Sequence, residues 1–189
     1  MELSINREPY IFQEGKVYSV INNIPHVQEQ IIKDNNTVLA VKDYSKFNME
    51  LFLKKRRKVK DVLKNSSFSE IETLEIVSSC GVNIDSDTYN LSADKRAFLL
   101  INILLHNVSP IFFEIAGYTF LTAQSIYQLL FDRVKNTNKI AIILEPSIKN
   151  EFKIEQVTQD IIDNYREWID PYKYQINSEE LKKYLGFYD

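Results

Sequence analysis

Between Leu91 and Leu121 a strongly apolar stretch is cut by a single breaker, and few folds accept that pattern. Ala97, Phe98, Leu99, Leu100, Ile101, Ile103, Leu104 and Leu105 leave no wholly polar face, which predicts a helix buried on most sides, with Ser92 as its N-cap. Asn107, Ser109 and Pro110 end that helix. Ile111 to Gly117 then forms a short apolar run, the pattern of a strand covered on both faces. A buried helix feeding a buried strand predicts a parallel α/β core.

The rest of the chain supplies the other layers. Val17 to Ile21, following Gly15-Lys16, reads as a buried strand. Asn22-Asn23-Ile24-Pro25 reads as a turn into a helix with Val27, Gln30, Ile31 and Ile32 on its inner face. Thr37 to Val41 reads as a second strand, and Phe47, Leu51, Val59, Val62 and Leu63 as an amphipathic helical region. Ser69 to Glu72 is a capping box for a helix that stops near Gly81. Thr122 is expected to cap a helix with Ile126, Leu129, Leu130 and Val134 on one face, and Lys139 to Leu144 to follow as a strand. From Ile154, the positions Val157, Ile161, Ile162, Tyr165, Trp168 and Ile169 predict a third amphipathic helix, ended by Pro171, and Asn177 to Glu180 caps a last short one.

Several function classes lack their parts. A net charge of −3 offers no global attraction for nucleic acid. The first residues carry an early acid and no apolar core, unlike a secretory signal, and Asn102, His106 and Glu114 interrupt the greasiest region before it reaches membrane-spanning length. The expectation is a cytoplasmic protein, with any membrane association peripheral. One cysteine, Cys80, and two histidines, His26 and His106, are too few for a structural zinc site or an intrachain disulfide. Asn83, Asp85, Asp87 and Asp94 fall at calcium-loop spacings, but Thr88 stands where the turn glycine belongs and Asp94 where the closing Glu belongs, so they read as solvated turn acids.

Two features remain. The basic run Lys54, Lys55, Arg56, Arg57, Lys58 and Lys60 reads either as a solvated face or as a docking surface for an acidic loop or anionic headgroups. The strand, loop and helix from Val17 to Ile32 have the topology of a phosphate-binding loop, yet no glycine occurs between Gly15 and Gly81. Such a loop needs residues without a Cβ where backbone N–H groups converge on phosphate. Glu29 would also repel a triphosphate.

The order of Cys80-Gly81-Val82, Tyr89-Asn90-Leu91-Ser92, the long helix, His106-Asn107 and the strand ending at Glu114 resembles the signature-to-Walker-B half of ABC-type ATPases. In that family a Leu-Ser-Gly-Gly-Gln motif opens the helix and the strand ends in Asp-Glu. Here Leu91 and Ser92 match, whereas Ala93, Asp94 and Lys95 do not. The resemblance puts Glu114 at the Walker B Asp position, Ile115 at the catalytic Glu, Leu121 at the last Asp of the following loop, and Pro146 at the switch His. It puts Walker A on the stretch containing Asn22, Gln28, Glu29 and Gln30, with Gln28 and Glu29 where the Lys and the magnesium-binding Ser or Thr would stand.

What the resemblance implies is an α/β, P-loop NTPase-like fold: a largely parallel sheet flanked by helices, with a helical subdomain at about residues 44–90 and a reduced β subdomain. It covers residues 1–150, and residues 151–189 are expected to form a C-terminal helical extension packed on the same domain. The implied function is a non-catalytic subunit acting as an interaction or regulatory module of a membrane transporter complex at the inner face of the cell membrane. Its partners would be a transmembrane transporter subunit and an active ABC ATPase, with no nucleic acid and no metal. No cofactor is expected, and ATP with magnesium would bind only if the site is remodelled or completed by a partner. An active NTPase with a remodelled site, or a structural α/β protein unrelated to transport, stay open as alternatives.

Overall fold

The computed structural model describes residues 1–5, 7–22, 57–107, 109–115, 118–147 and 152–170. The expected strand at Thr37 to Val41, the helix after Pro25 and the last helix after Asn177 lie outside these residues.

Three strands form the centre: β3 (Lys16–Asn22), β4 (Ile111–Glu114) and β5 (Ile140–Pro146). All three are rich in β-branched or aromatic residues and almost entirely buried, as strands covered on both faces must be. Strand β5 lies between the other two and is parallel to both. The sheet is not wholly parallel, because β6 (Lys153–Gln156) joins the free side of β3 in antiparallel register. Only residues 147–152 separate β5 from β6, and a parallel return needs a crossover of a dozen residues or more.

The strand β6 also corrects the helix expected from Ile154. Ile154 packs against one face of the sheet, and the chain becomes helical only after Thr158, whose side chain accepts the Ile161 N–H. Two short helices follow, α5 (Gln159–Asp163) and α6 (Tyr165–Ile169), separated at Asn164. Apolar spacing continues through both, which is why they read as one helix extending too far towards the N-terminus.

The two faces of the sheet are covered differently. On one, Val17, Ile21, Ala141 and Ile143 meet the helices α3 (Ala93–Asn107) and α4 (Phe120–Val134) together with α5 and α6. On the other, Tyr18, Val20, Ile142 and Leu144 meet Leu3, Ile5 and Phe12 of a small hairpin, β1 (Glu2–Ile5) paired antiparallel with β2 (Glu8–Ile11). Each hairpin strand is only four residues long. Leu3 and Ile5 alternate with Glu2 and Ser4, a period-two signal too short to stand out in the sequence.

A separate apolar cluster builds the helical sector. Val59, Val62 and Leu63 of α1 (Val59–Asn65) pack with Ile76 of α2 (Glu70–Ser79) and with Leu91, Leu99 and Ile103. Ser69 caps α2 with the expected reciprocal box, and Gly81 just beyond its end adopts φ +57°. Cys80 is buried there, and desolvation pushes its thiol above the usual range. The helix α4 begins earlier than expected. Thr119, not Thr122, is its N-cap, because the Thr119 hydroxyl accepts the Thr122 N–H and Thr122 is therefore already three residues into the helix.

Candidate functional site

In parallel α/β sheets ligands gather beyond the C-terminal ends of the strands. Here those ends carry Asn22 on β3, Pro146 on β5 and Glu114 on β4; Asn22 pairs with Pro146, and Glu114 with Leu144. Four of the positions singled out in the sequence, Asn22, Glu114, Ile115 and Pro146, thus meet at one edge. Gln28, Glu29 and Gln30 lie outside the described residues.

The chemistry of this edge is sparse. The Asn22 side chain is buried and folded back, with Nδ2 donating to the Val20 carbonyl at 3.3 Å, and the Asn22 carbonyl accepts the Ser147 N–H at 2.6 Å. Glu114 is exposed. Ile115 is buried in the core on the helix-covered face, its N–H donated to the Leu144 carbonyl at 3.1 Å. An isoleucine side chain has no lone pair or proton with which to orient an attacking water.

The signature-like residues belong to the helical sector. Leu91 is buried among Val59, Val62 and Leu99, and Ser92 precedes the first turn of α3, where its carbonyl accepts the Arg96 N–H at 3.0 Å. Asp94 is held below the usual carboxylate range first by a hydrogen bond from the Ser92 side chain, partly offset by desolvation, with lesser help from backbone N–H groups and Lys95. The Ser92 hydroxyl is thus engaged by a neighbouring carboxylate, a consequence of Asp94 standing where the resembled motif has glycine.

Lys54, Lys55 and Arg56 fall outside the described residues, but the end of the basic run is visible. Lys58 lies 3.3 Å from Asp87, and Lys60 lies 2.8 Å from Asp85, which raises the lysine and lowers the aspartate. The turn acids have counter-ions within the protein, and among the described residues no group of three or more acid, Cys or His side chains could hold a metal. Arg57 is half-buried.

Sequence reasoning passed over Glu145. It sits on β5 beside Pro146 and is completely buried on the helix-covered face. Its Oε1 accepts from the hydroxyls of Tyr165 at 2.7 Å and Tyr127 at 3.0 Å, and Ser19 Oγ lies 2.9 Å from the Tyr127 hydroxyl. A phenol has one proton, so with Tyr127 donating to the carboxyl, the Ser19 hydroxyl donates to Tyr127. Burial, reinforced by Glu145, pushes both phenols above their usual range. The Tyr127 and Tyr165 rings pack 5.1 Å apart, with Trp168 against both. The group is sealed from solvent, so it orients helices rather than touching a ligand. One signal could have exposed it: Glu145 is an acid directly continuing the five apolar residues Ile140 to Leu144.

No protein-family model matches the sequence, and no curated protein matches it. Among solved structures the chain is similar to the crystal structure of the ADP conformation of MJ1267, an ATP-binding cassette of an ABC transporter. The TM-score is 0.53 at 13% sequence identity, over 98% of this chain and 99% of that one. At that identity the likeness shows the fold: a mixed α/β architecture similar to an ABC ATP-binding cassette.

Proposed function

We propose that the chain is a non-catalytic, ABC-ATPase-like subunit that works as an interaction or regulatory module of a membrane transporter complex. The observation that carries this reading is Ile115, buried at the strand end where the resembled family places its catalytic carboxylate, within a fold similar to an ATP-binding cassette. The absence of glycine between Gly15 and Gly81 adds to it, because a phosphate cradle built from backbone N–H groups needs that freedom. ATP with magnesium enters only through a partner's site or a remodelled one.

Under this reading the partners are a transmembrane transporter subunit and an active ABC ATPase, and the chain reaches the membrane through them, since no described helix is long and apolar enough to cross it. The helical sector with the basic run Lys54 to Lys58 is the docking side. The cations of this run carry the attraction, with Lys58 shared with Asp87. Ser92 faces a partner's nucleotide only if Asp94 releases its hydroxyl.

Calorimetry of the full chain with magnesium and ATP is the direct test, and no binding is expected. Micromolar affinity, lost when the Asn22 to Gln30 loop is altered, would sink the reading in favour of a remodelled NTPase. Titration of the chain, and of its Arg57→Glu and Ser92→Ala forms, into a copurifying active ATPase separates a regulatory module from a scaffold. A module changes that ATPase's rate, and a scaffold leaves it constant.

A further inference from the structure

The opposite end of the sheet holds a feature that the nucleotide-site comparison does not use. A groove of ≈ 420 Å³ opens between α2, the last turns of α3 and α4, and the residues leading into β5. Its position follows from chain direction: Leu105 and His106 precede β4, and Asn138 and Lys139 precede β5, so the groove lies at the N-terminal ends of strands whose C-terminal ends carry Glu114 and Pro146. Its volume is within the usual range for small-molecule sites, roughly 300 to 1,000 Å³.

Three observations give the groove a chemistry. First, Asn102 is more than nine-tenths buried, and its side-chain nitrogen is committed, donating to the Phe98 carbonyl at 2.8 Å with Cys80 Sγ at 3.6 Å. The amide cannot be turned over, because that would set oxygen against the Phe98 carbonyl. The Oδ1 receives no hydrogen bond from the described residues, and Asn102 is among the residues that line the groove. Among the described residues no fully buried side-chain nitrogen or oxygen lacks a partner, so this oxygen is reached from the open groove, where water or a ligand N–H can donate to it.

Second, the walls carry both signs of charge, and Glu72 Oε1 lies 4.0 Å from His106 Nδ1 within the groove. Glu72 and Glu75 come from α2, and Arg133 and Lys139 from the α4 end and the β5 entry. Glu72 is engaged by Ser69, and Arg133 donates to Ser79 Oγ at 3.3 Å. Among the described residues, the side chains of Glu75 and Lys139 have neither an ion-pair nor a hydrogen-bond partner, although both line the same groove. Third, the surface between the walls is apolar, with Phe68, Ile76 and Leu105.

We propose that this groove binds a small zwitterion of the amino-acid or dipeptide class, its ammonium group received by Asn102 Oδ1 and Glu75 and its carboxylate by Lys139 and Arg133. A ligand with a charge at each end and an apolar middle satisfies all three observations; a simple anion or cation leaves one wall and, for the anion, the Asn102 acceptor unmet. The site is independent of whether the strand C-termini bind nucleotide.

The experiment uses the full chain and three matched peptides: leucyl-glycine, its N-acetyl derivative and its C-terminal amide. Nitrogen-edited NMR titration follows the Asn102 side-chain amide, together with backbone amides of α2 and of residues 133–139. Leucyl-glycine should shift these signals and bind at least about tenfold more tightly than either capped form, since each cap removes one charge-assisted hydrogen-bonding group. Lys139→Gln, at a partly exposed position, should weaken leucyl-glycine while leaving the weaker affinity of the amide unchanged; Asn102→Leu should abolish the preference for a free ammonium. If Asn102→Leu does not fold, Lys139→Gln alone decides. No shift at about 10 mM leucyl-glycine, where even a millimolar site would be mostly filled, overturns the proposal. Equal binding of all three peptides, or wild-type binding by Lys139→Gln, overturns it as well.

Discussion

At the C-terminal ends of the central strands Asn22 and Glu145 are turned inward and Glu114 is exposed, and at the N-terminal ends of the same strands polar side chains face a groove. Asn22 folds back on the Val20 carbonyl, and Glu145 is sealed beneath Tyr127 and Tyr165. Across the sheet, Asn102 Oδ1, Glu75 and Lys139 line a groove without partners among the described residues. The comparison separates polar groups that hold elements together from polar groups available to something else. In a fold of this class the C-terminal edge is the usual ligand site. Here Asn22 and Glu145 near that edge are bonded within the protein, and Glu114 is exposed.

The sharpest way to break this contrast is Glu145→Leu. The substitution removes an acceptor shared by two buried phenols, leaving the Tyr165 hydroxyl without its partner and Tyr127 with Ser19 alone. A loss of about 3 kcal/mol is expected, at the upper end for stranded buried donors. Urea denaturation followed by tryptophan fluorescence measures it, since Trp168 packs on both tyrosines. Glu145→Gln keeps a carbonyl acceptor and should lose much less. A loss for Glu145→Leu within the range of an ordinary surface substitution would mean that the buried group does not anchor α6 to the sheet.

A smaller effect is expected from Tyr165→Phe, which removes one hydroxyl and leaves Tyr127 and Ser19 in place: about 1.5 kcal/mol at neutral pH. Its pH dependence is more diagnostic. Burial, with Glu145 nearby, holds both phenols protonated in the folded state above the range where they ionise when unfolded. Their contribution is therefore complete below about pH 10 and declines as pH rises beyond it, because the unfolded chain then releases protons that the folded chain retains. Removing one phenol should flatten the alkaline decline by up to about 1.4 kcal/mol per pH unit. An alkaline unfolding profile identical to that of the unaltered chain would contradict the arrangement.

The contrast also explains what the sequence made legible. The strands β3, β4 and β5 and the helix α3 were readable because long apolar runs have few alternatives to burial, and Ser69-Glu72 was readable because capping is a local interaction. The sheet's order, the antiparallel β6 and the hairpin of β1 and β2 were not readable to the same degree. They depend on pairings between distant segments, and four-residue strands carry little period of their own. Asn22, Glu114, Ile115 and Pro146 were brought to one edge by chain direction alone. Glu145 escaped notice and Asn102 was noted only as an interruption, for a shared reason: each is a polar residue beside apolar runs, and its meaning depends on which hydroxyl or carbonyl the fold brings beside it.

The smallest expected effect sharpens the comparison most directly. If Glu75 and Lys139 face the groove without partners, replacing either by glutamine removes a charge that holds nothing in place. Glu75→Gln and Lys139→Gln should each change stability by no more than about 0.5 kcal/mol, the range for surface positions away from structural contacts. The double variant should equal the sum of the two, because side chains with no mutual ion pair have no coupling to lose. Urea denaturation of the four forms in one buffer makes the measurement. The proposed ligand then adds a second reading. With leucyl-glycine present the unaltered chain should gain stability in proportion to occupancy, and the two variants should gain less. A loss well beyond that range without ligand, or strong coupling between the two sites, would reveal that the groove's charges already serve the fold. The two ends of the sheet would then be alike.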